Sequence, residues 1–271
     1  MPHIAIQGRP LYYEWRGYEW RGSRTAGPAP NVPAPHGPAP LVFLHDGLGA
    51  VGSWKDVPER IANALGARAL VFDRWGYGRS APRPDFPFRF MEVEVEPLRE
   101  LLDGLAIPRA FLVGHSDGGS VALLFAARYP ARVAALVTEA AHVFVERETR
   151  AGIEALVALQ RAGRTPGWLT RLHGERAEAL LSAWAEGWLS AEHERWEITA
   201  ALPGVRCPLL AIQGERDEFG TAAQVEAICA GVPQAESWLV PGSGHTPHTA
   251  AQDEFERRVT AFLARHGARA G

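Results

Sequence analysis

One serine, flanked by glycines, stands between a short apolar run and a helix-like run, and this constrains the chain more than any other feature. Gly114–Gly118 reads G-H-S-D-G and fits the pattern G-x-S-x-G. Ala110–Val113 before it predicts a buried strand, and residues 119–127 after it predict a helix. A serine on a sharp strand-to-helix turn holds its hydroxyl at the sheet edge, where the first N–H groups of the helix also point. The motif therefore predicts that Ser116 is a nucleophile beside an oxyanion site.

Strand-like and helix-like segments alternate along most of the chain. Trp54–Leu65 and Glu92–Leu105 are predicted helices, the second with apolar residues at helical spacing. Strands that are separated by helices favour a mostly parallel sheet with helices on both faces, so the predicted fold class is α/β. The predicted strands of this sheet are Leu41–Leu44, Ala69–Phe72, Ala110–Val113, Val133–Val137, Leu209–Ile212 and Ser237–Val240.

The segment from Phe144 to Leu202 interrupts the alternation because it contains no strand-like run. We predict that residues 144–202 form a helical cap, or lid, over an α/β core made of residues 1–143 and 203–271. Four of the nine tryptophans lie in this segment, at positions 168, 184, 188 and 196, and they either pack between lid helices or line a substrate pocket. The pocket-lining residues that we predict are Trp75, Trp168, Trp184 and Trp188. The predicted helices are Glu146–Ala162, Thr165–Leu172, Glu175–Leu189 and Ala191–Ala200.

The N-terminal residues alternate in polarity and predict a hairpin that turns at Gly8–Pro10. Tyr13–Gly17 (Y-E-W-R-G) is then repeated as Tyr18–Gly22, a duplication too short to be a repeat architecture. From Gly22 to Pro40 the chain carries six prolines and no periodicity, so we predict a loop or linker there.

A serine hydroxyl needs a histidine base to attack a carbonyl, and the base needs an acid that orients it. Asp217 follows the predicted strand Leu209–Ile212, and His245 lies in a glycine-rich loop after Ser237–Val240. The carboxyl ends of parallel strands share one sheet edge, which is also the edge of Ser116. We therefore predict Ser116 as nucleophile, His245 as base and Asp217 as the orienting acid.

Other carboxylates and imidazoles compete for these roles. Glu215 and Glu218 lie near the same strand end as Asp217, and Glu139 follows the neighbouring strand. His248 approaches the last helix and is predicted at the surface or behind the base. His115 precedes the serine on the turn, and its side chain is predicted to point away and pack.

The oxyanion site needs a second backbone donor besides the one that follows the serine. His45–Gly49 (H-D-G-L-G) is a glycine-rich turn after a predicted strand. We predict the N–H groups of Gly47 and Asp117 as the two donors, and a structural hydrogen bond for His45. The Asp117 carboxylate is predicted to point aside, because a negative charge beside a developing oxyanion would oppose catalysis, and to favour the positive end of its helix.

These motifs resemble those of the α/β-hydrolase family over nearly the whole chain. His45–Gly49 is similar to the family's H-G-x-x-G turn, with Asp46 at the usual glycine, and Asp73–Ser80 resembles its D-x-R-G-x-G-x-S loop. The order serine, acid, histidine is also that of the family. The resemblance implies the α/β-hydrolase fold and, among its branches, the capped carboxylesterases and C–C or lactone hydrolases. A serine at position 116 argues against the branches with an aspartate nucleophile.

Composition and residue spacing narrow the partners and cofactors that we expect for this chain. The net charge of −3 shows no basic field, so nucleic acid is not an expected partner. The ten histidines and two cysteines show no metal-ligand spacing, and the glycines form no dinucleotide fingerprint, so we predict neither metal nor cofactor. No apolar run reaches membrane-spanning length and no leader pattern appears, which favours a cytoplasmic protein without a membrane partner. A homodimer is left open.

The predicted function is a serine hydrolase that cleaves a small ester, lactone or activated C–C bond through an acyl-enzyme. A cofactor-free lyase or peroxidase with the same triad is the alternative enzyme. A ligand-binding receptor with little turnover is the alternative outside enzymes.

Overall fold

The computed structural model describes residues 2–18 and 38–267. Within them lies one eight-stranded sheet with the order β1-β2-β4-β3-β5-β6-β7-β8. The first two strands pair antiparallel, and β2 pairs antiparallel with β4, whereas all pairings from β4 to β8 are parallel. The predicted mostly parallel α/β sheet is confirmed. The strands are β1 (His3–Ile6), β2 (Arg9–Gly17), β3 (Leu41–Leu44), β4 (Arg68–Phe72), β5 (Ala110–His115), β6 (Val133–Glu139), β7 (Leu209–Gly214) and β8 (Ala235–Val240).

Helices cover both faces of this sheet. Alternate side chains of the buried strands enter two separate apolar clusters: Val42 packs in one and Phe43 in the other. Strands that are apolar at every position, such as β3, are therefore buried on both faces. The helices are α1 (Val57–Leu65), α2 (Phe90–Val93), α3 (Val95–Gly104), α4 (Asp117–Arg128), α5 (Arg147–Arg161), α6 (Gly167–His173), α7 (Ala177–Leu189), α8 (Ala222–Gly231), α9 (Pro247–Ala250) and α10 (Gln252–Gly267).

Two predicted helices are divided in the structure. Trp54–Leu65 becomes a 3₁₀ turn at Val51–Trp54 followed by α1, in whose first turn Pro58 lies. Glu92–Leu105 is split at Glu94 into α2 and α3. Pro97 has no N–H to donate to the carbonyl four residues earlier, so a continuous helix cannot pass this point without losing a hydrogen bond.

The segment between β6 and β7 is mainly helical, as predicted, and contains α5, α6 and α7. The predicted helix Ala191–Ala200 is wrong. This stretch forms a 3₁₀ turn at His193–Arg195 and enters a second at Thr199–Gly204, and Glu197 between them pairs with Phe144. The N–H of Ile198 donates to the carbonyl of Val143 at 2.8 Å, so a tertiary hydrogen bond replaces a helical one.

The N-terminal hairpin is confirmed by β1 and β2. The first copy of the duplicated pentapeptide lies at the end of β2. Residues 19–37, which include most of the second copy and of the predicted linker, lie outside the described residues. In the described part of the chain, none of the helices combines the length and the apolar character needed to cross a membrane.

Candidate active site

Ser116 occupies a strained turn between β5 and α4. Its φ of 52° and ψ of −122° are rarely adopted by residues other than glycine. The Ser116 N–H donates to the carbonyl of Glu139 at 2.8 Å, which ties the turn to β6. A side chain on Gly118 would place its Cβ only 2.3 Å from the carbonyl oxygen of Leu44. The G-x-S-x-G spacing thus follows from the close approach of α4 to the end of β3.

His245 and Asp217 meet at the same edge of the sheet. The Nδ1 of His245 lies 2.9 Å from both carboxylate oxygens of Asp217. Asp217 also accepts the N–H of Phe219 at 2.8 Å and an amide N–H of Gln213 at 2.6 Å. Burial would raise the pKa of Asp217, but His245 and the hydrogen bond from the Phe219 N–H lower it. The carboxylate is therefore held ionised against the imidazole.

The competing acids have other partners. Glu139 lies 2.9 Å from the Nδ1 of His248 and accepts that residue's backbone N–H at 2.6 Å. Glu215 accepts the N–H of Gly242, and Glu218 accepts the backbone N–H of His245 at 3.3 Å. Among the predicted acids, only Asp217 has its carboxylate on the His245 ring in the described structure. Of the two positions predicted for His248, at the surface or behind the base, the surface is wrong, because the residue is 4% exposed.

Gly47 and Asp117, the two predicted oxyanion donors, line one cavity together with Ser116. Asp117 is the first residue of α4, and the first N–H groups of a helix have no partner within it. A Cβ on Gly47 would lie 2.5 Å from the indole nitrogen of Trp184 and 2.7 Å from the Asp117 carboxylate. Only glycine therefore fits at position 47.

The Asp117 carboxylate is turned toward Trp184 of α7. Its Oδ2 accepts the indole N–H of Trp184 at 3.0 Å and lies 3.9 Å from the guanidinium of Arg74. Its Oδ1 has no hydrogen-bond partner among the residues that the structure describes. Burial raises the pKa of Asp117 to about 6, although Arg74 and the Trp184 N–H act in the opposite direction. The side chain thus carries less negative charge near neutral pH than an ordinary aspartate.

The cavity above Ser116 has a volume of about 450 Å³ and is walled largely by apolar side chains. Trp168, Trp184 and Trp188 line it, whereas Trp196 packs against Trp188 and donates its indole N–H to Glu92. Trp75 is not among its lining residues, so its prediction as a pocket residue is wrong. The Trp75 ring lies instead beneath the guanidinium of Arg9, at 3.8 Å, and its indole N–H donates to Pro82.

Comparison with known proteins identifies the protein family that this chain matches. The model of the alpha/beta hydrolase family matches residues 41–258, most of the chain. The chain belongs to this family. This α/β hydrolase is 30% identical to the serine hydrolase BPHL of Mus musculus over 204 residues, which cover 72% of this chain and 68% of the relative. It is 28% identical to a putative carbamate hydrolase, RutD, of Pantoea ananatis over 247 residues, which cover 83% of this chain and 88% of that protein.

A solved structure shares the fold. The enol-lactonase of Burkholderia xenovorans superposes with a TM-score of 0.73 at 19% identity, covering 97% of this chain and 99% of that one. At this low sequence identity, the likeness shows only that the two proteins share a fold. Together with the relatives that are named hydrolases, the family match establishes that this α/β hydrolase is a hydrolytic enzyme.

Close to Ser116 and His245 this α/β hydrolase holds a buried group of two imidazoles and a carboxylate. His115, Glu139 and His248 offer ligand atoms that all lie within 4.8 Å of one another and could hold a metal ion. These groups already bond to their neighbours: Glu139 pairs with His248, and the Nε2 of His115 lies 2.8 Å from the carbonyl oxygen of His245. The prediction that His115 only packs is therefore incomplete, because it also connects the serine turn to the histidine loop.

The sequence reasoning missed His142, which lines the same cavity. Its place, three residues past the end of β6 at the catalytic edge of this α/β hydrolase, was the available signal. Asp46 and Glu218 also line the cavity. Both are named in the sequence analysis, Glu218 as a competing acid and Asp46 in the oxyanion turn, and each follows a strand of the parallel sheet, where functional side chains gather.

Proposed function

We propose that this hydrolase cleaves a small ester, lactone or activated C–C bond through a Ser116–His245–Asp217 triad and an acyl-enzyme. The observation that carries the proposal is the contact of the His245 Nδ1 with both oxygens of Asp217 at 2.9 Å, in a cavity that Ser116 and His245 line together. With Nδ1 bound to the carboxylate, the other ring nitrogen is free to take a proton from the serine.

The proposed reaction has two steps. His245 removes the proton of the Ser116 hydroxyl while its oxygen attacks the substrate carbonyl, and the backbone N–H groups of Gly47 and Asp117 stabilise the oxyanion. The imidazolium then protonates the leaving group, and an acyl-enzyme remains on Ser116. Water, deprotonated by His245, attacks this ester in the second step and restores the serine.

The cavity walls favour an apolar substrate body. Ile153, Leu156 and Leu159 of α5 line it together with the tryptophans of α6 and α7, and Leu48 and Phe219 add apolar surface. A volume of about 450 Å³ suits a small molecule rather than a polymer. Because these residues come from the segment 144–202 as well as from the core, the walls also support our proposal that this segment is a cap.

The charges around the cavity favour a neutral or cationic substrate. Asp46, Asp117 and Glu218 line it, and no Lys or Arg does so within residues 2–18 and 38–267. Burial would raise the pKa of Asp46, but the neighbouring His115 and other histidines lower it strongly, so this carboxylate stays ionised. A substrate carboxylate would enter a site that has no cation to compensate for its desolvation.

Labelling with a fluorophosphonate tests the proposed function. We expect intact-mass analysis to show one adduct, and peptide mapping to place it on Ser116. A panel of p-nitrophenyl esters then reports turnover. Labelling without turnover of any substrate class would favour the receptor, and an unlabelled Ser116 would contradict the nucleophile.

We expect esters that carry a carboxylate to be poor substrates. Replacing the terminal methyl of a p-nitrophenyl acyl chain by a carboxylate should lower kcat/KM by about 10- to 100-fold, because a few kcal/mol of charge desolvation go uncompensated. The measurement is the ratio of kcat/KM for the neutral and anionic esters at equal chain length. A preference for the anionic ester would contradict the charge argument.

Trp168 should control acyl-chain length. It lies in α6, is 38% exposed and lines the cavity, so Trp168→Ala enlarges the pocket at its mouth with little loss of buried contact. We expect the preferred acyl chain to lengthen, while the rate of fluorophosphonate labelling changes less than about twofold. Leu239→Ala, at an exposed position of β8, is the matched control. An unchanged chain-length profile in Trp168→Ala would argue against a substrate pocket beneath the cap.

A further inference from the structure

His142 lies in a rigid backbone segment after β6. The Oγ of Ser120 accepts the His142 N–H at 3.1 Å and donates to the His142 carbonyl at 2.6 Å. The next residue, Val143, donates its N–H to the side chain of Gln224 at 2.7 Å. Hydrogen bonds from α4 and α8 thus fix the position from which this side chain projects.

The His142 imidazole lies between the proposed base and the aromatic wall of the cavity. Its ring centroid is 6.1 Å from that of His245, with an interplanar angle of 28°, and 5.4 Å from that of Trp188. His142 is 3% exposed and lines the cavity that holds Ser116. A substrate above the serine would therefore lie beside this ring.

The ring has unmet hydrogen-bonding capacity. Its Nδ1 is buried without a partner, and the imidazole makes no hydrogen bond to any residue that the structure describes. Leaving such a group unpaired is unfavourable, and buried polar groups in proteins are nearly always paired with protein, water or ligand. The ring thus has donor and acceptor capacity that no group of the described residues uses.

Its surroundings also keep this imidazole neutral. Burial, and then the nearby His245, lower the pKa of His142 to about 3, against an opposing contribution from Asp217. Among the other charged or titratable groups near the ring, His115 and His193 act in the same direction as His245. A neutral imidazole has one N–H donor and one acceptor nitrogen, which match an uncharged oxygen or nitrogen.

We propose that His142 is a specificity-determining residue that hydrogen-bonds an uncharged polar atom of the substrate, such as an ether, hydroxyl or carbonyl oxygen near the scissile bond. The inference rests on the proposed function, because it needs a substrate at Ser116. It assigns selectivity to His142 and leaves proton transfer to His245. The substrates favoured by this site carry a polar atom within an otherwise apolar body.

The test compares isosteric esters that differ by one oxygen. One series is p-nitrophenyl pentanoate, ethoxyacetate and 3-methoxypropanoate, and the other is butyl butanoate and 2-methoxyethyl butanoate. We expect His142→Phe to lower kcat/KM about tenfold for at least one oxygen-containing ester, the effect of losing one hydrogen bond. The all-carbon esters should change less than twofold, and His142→Gln should recover much of the loss.

His193→Phe is the matched control. Both ring nitrogens of His193 are also buried and have no hydrogen-bond partner within residues 2–18 and 38–267, but its ring packs among Phe90, Trp188 and Trp196 and does not line the cavity. We expect it to leave the ratio between oxygen-containing and all-carbon esters unchanged. The pH profile of kcat/KM for p-nitrophenyl pentanoate should keep its acid limb in His142→Phe.

Three results would overturn the inference: equal losses on both ester types, no change on either, or a shifted acid limb, which would mean that His142 acts through His245. Failure of the proposed function would give a different experimental result from failure of the His142 inference. In that case the wild-type protein hydrolyses none of the esters and Ser116 takes up no fluorophosphonate.

Discussion

Ser116→Ala should reduce kcat for the best p-nitrophenyl ester by on the order of a million-fold, the cost of removing a triad nucleophile. The loss is large because no acyl-enzyme can form, while the cavity and the oxyanion donors remain. Steady-state kinetics at protein concentrations high enough to detect residual turnover measure the effect. The change removes one oxygen, so we expect the circular dichroism spectrum and the thermal midpoint to stay close to those of the wild type.

Ser182→Ala is the control for this variant, because Ser182 is an exposed serine of α7 and does not line the cavity. It should keep wild-type turnover and fluorophosphonate labelling. Residual activity of Ser116→Ala above about a tenth of wild type would show that another group is the nucleophile, since loss of a triad serine leaves far less.

Asp217→Asn should reduce kcat by roughly ten-thousand-fold. The carboxylate at 2.9 Å accepts the Nδ1 proton of His245, which leaves the other ring nitrogen unprotonated and ready to act as base. An amide in its place can donate to Nδ1 and stabilise the wrong tautomer. The ratio of kcat values between variant and wild type is the measurement, with KM expected to change little.

Glu139→Gln separates the two acid–imidazole pairs. Glu139 contacts His248 rather than His245, so its amide should leave kcat within about tenfold of wild type, far from the loss expected for a triad acid. If Asp217→Asn stays active while Glu139→Gln does not, the orienting acid belongs to β6 and our proposal for Asp217 is wrong.

The fold could be predicted from the sequence because the patterns that indicate it span only a few neighbouring residues. Apolar runs such as Leu41–Leu44 predict strands buried on both faces, and the serine turn needs only the small residues on either side of Ser116. The errors arose where distant residues override local preference. Ala191–Ala200 has helical character, but Ile198 bonds to Val143 and Trp196 is buried against Trp188, and these tertiary contacts outweigh a weak helix propensity.

The positions of side chains were predicted less well than the helices and strands. Trp75 is predicted to line the pocket. In the structure its ring centroid lies 3.8 Å from the guanidinium carbon of Arg9 and 4.8 Å from that of Arg83, and these cation–π contacts stabilise the indole outside the cavity. Nothing in the spacing of these residues along the chain indicates that contact.

The sequence by itself determined the parallel sheet, the strained serine turn and the placement of carboxylates and imidazoles at one edge. These follow from hydrophobic periodicity and from the rule that parallel strands end together. Only the tertiary structure decided that Asp217 meets His245 and Glu139 meets His248, since several glutamates and aspartates lie at or just after strand ends. It also decided that the His142 ring faces the cavity without a hydrogen-bond partner among the described residues. Hydrogen bonds depend on distances of a few tenths of an ångström, which are set by strand register and helix packing rather than by residue order.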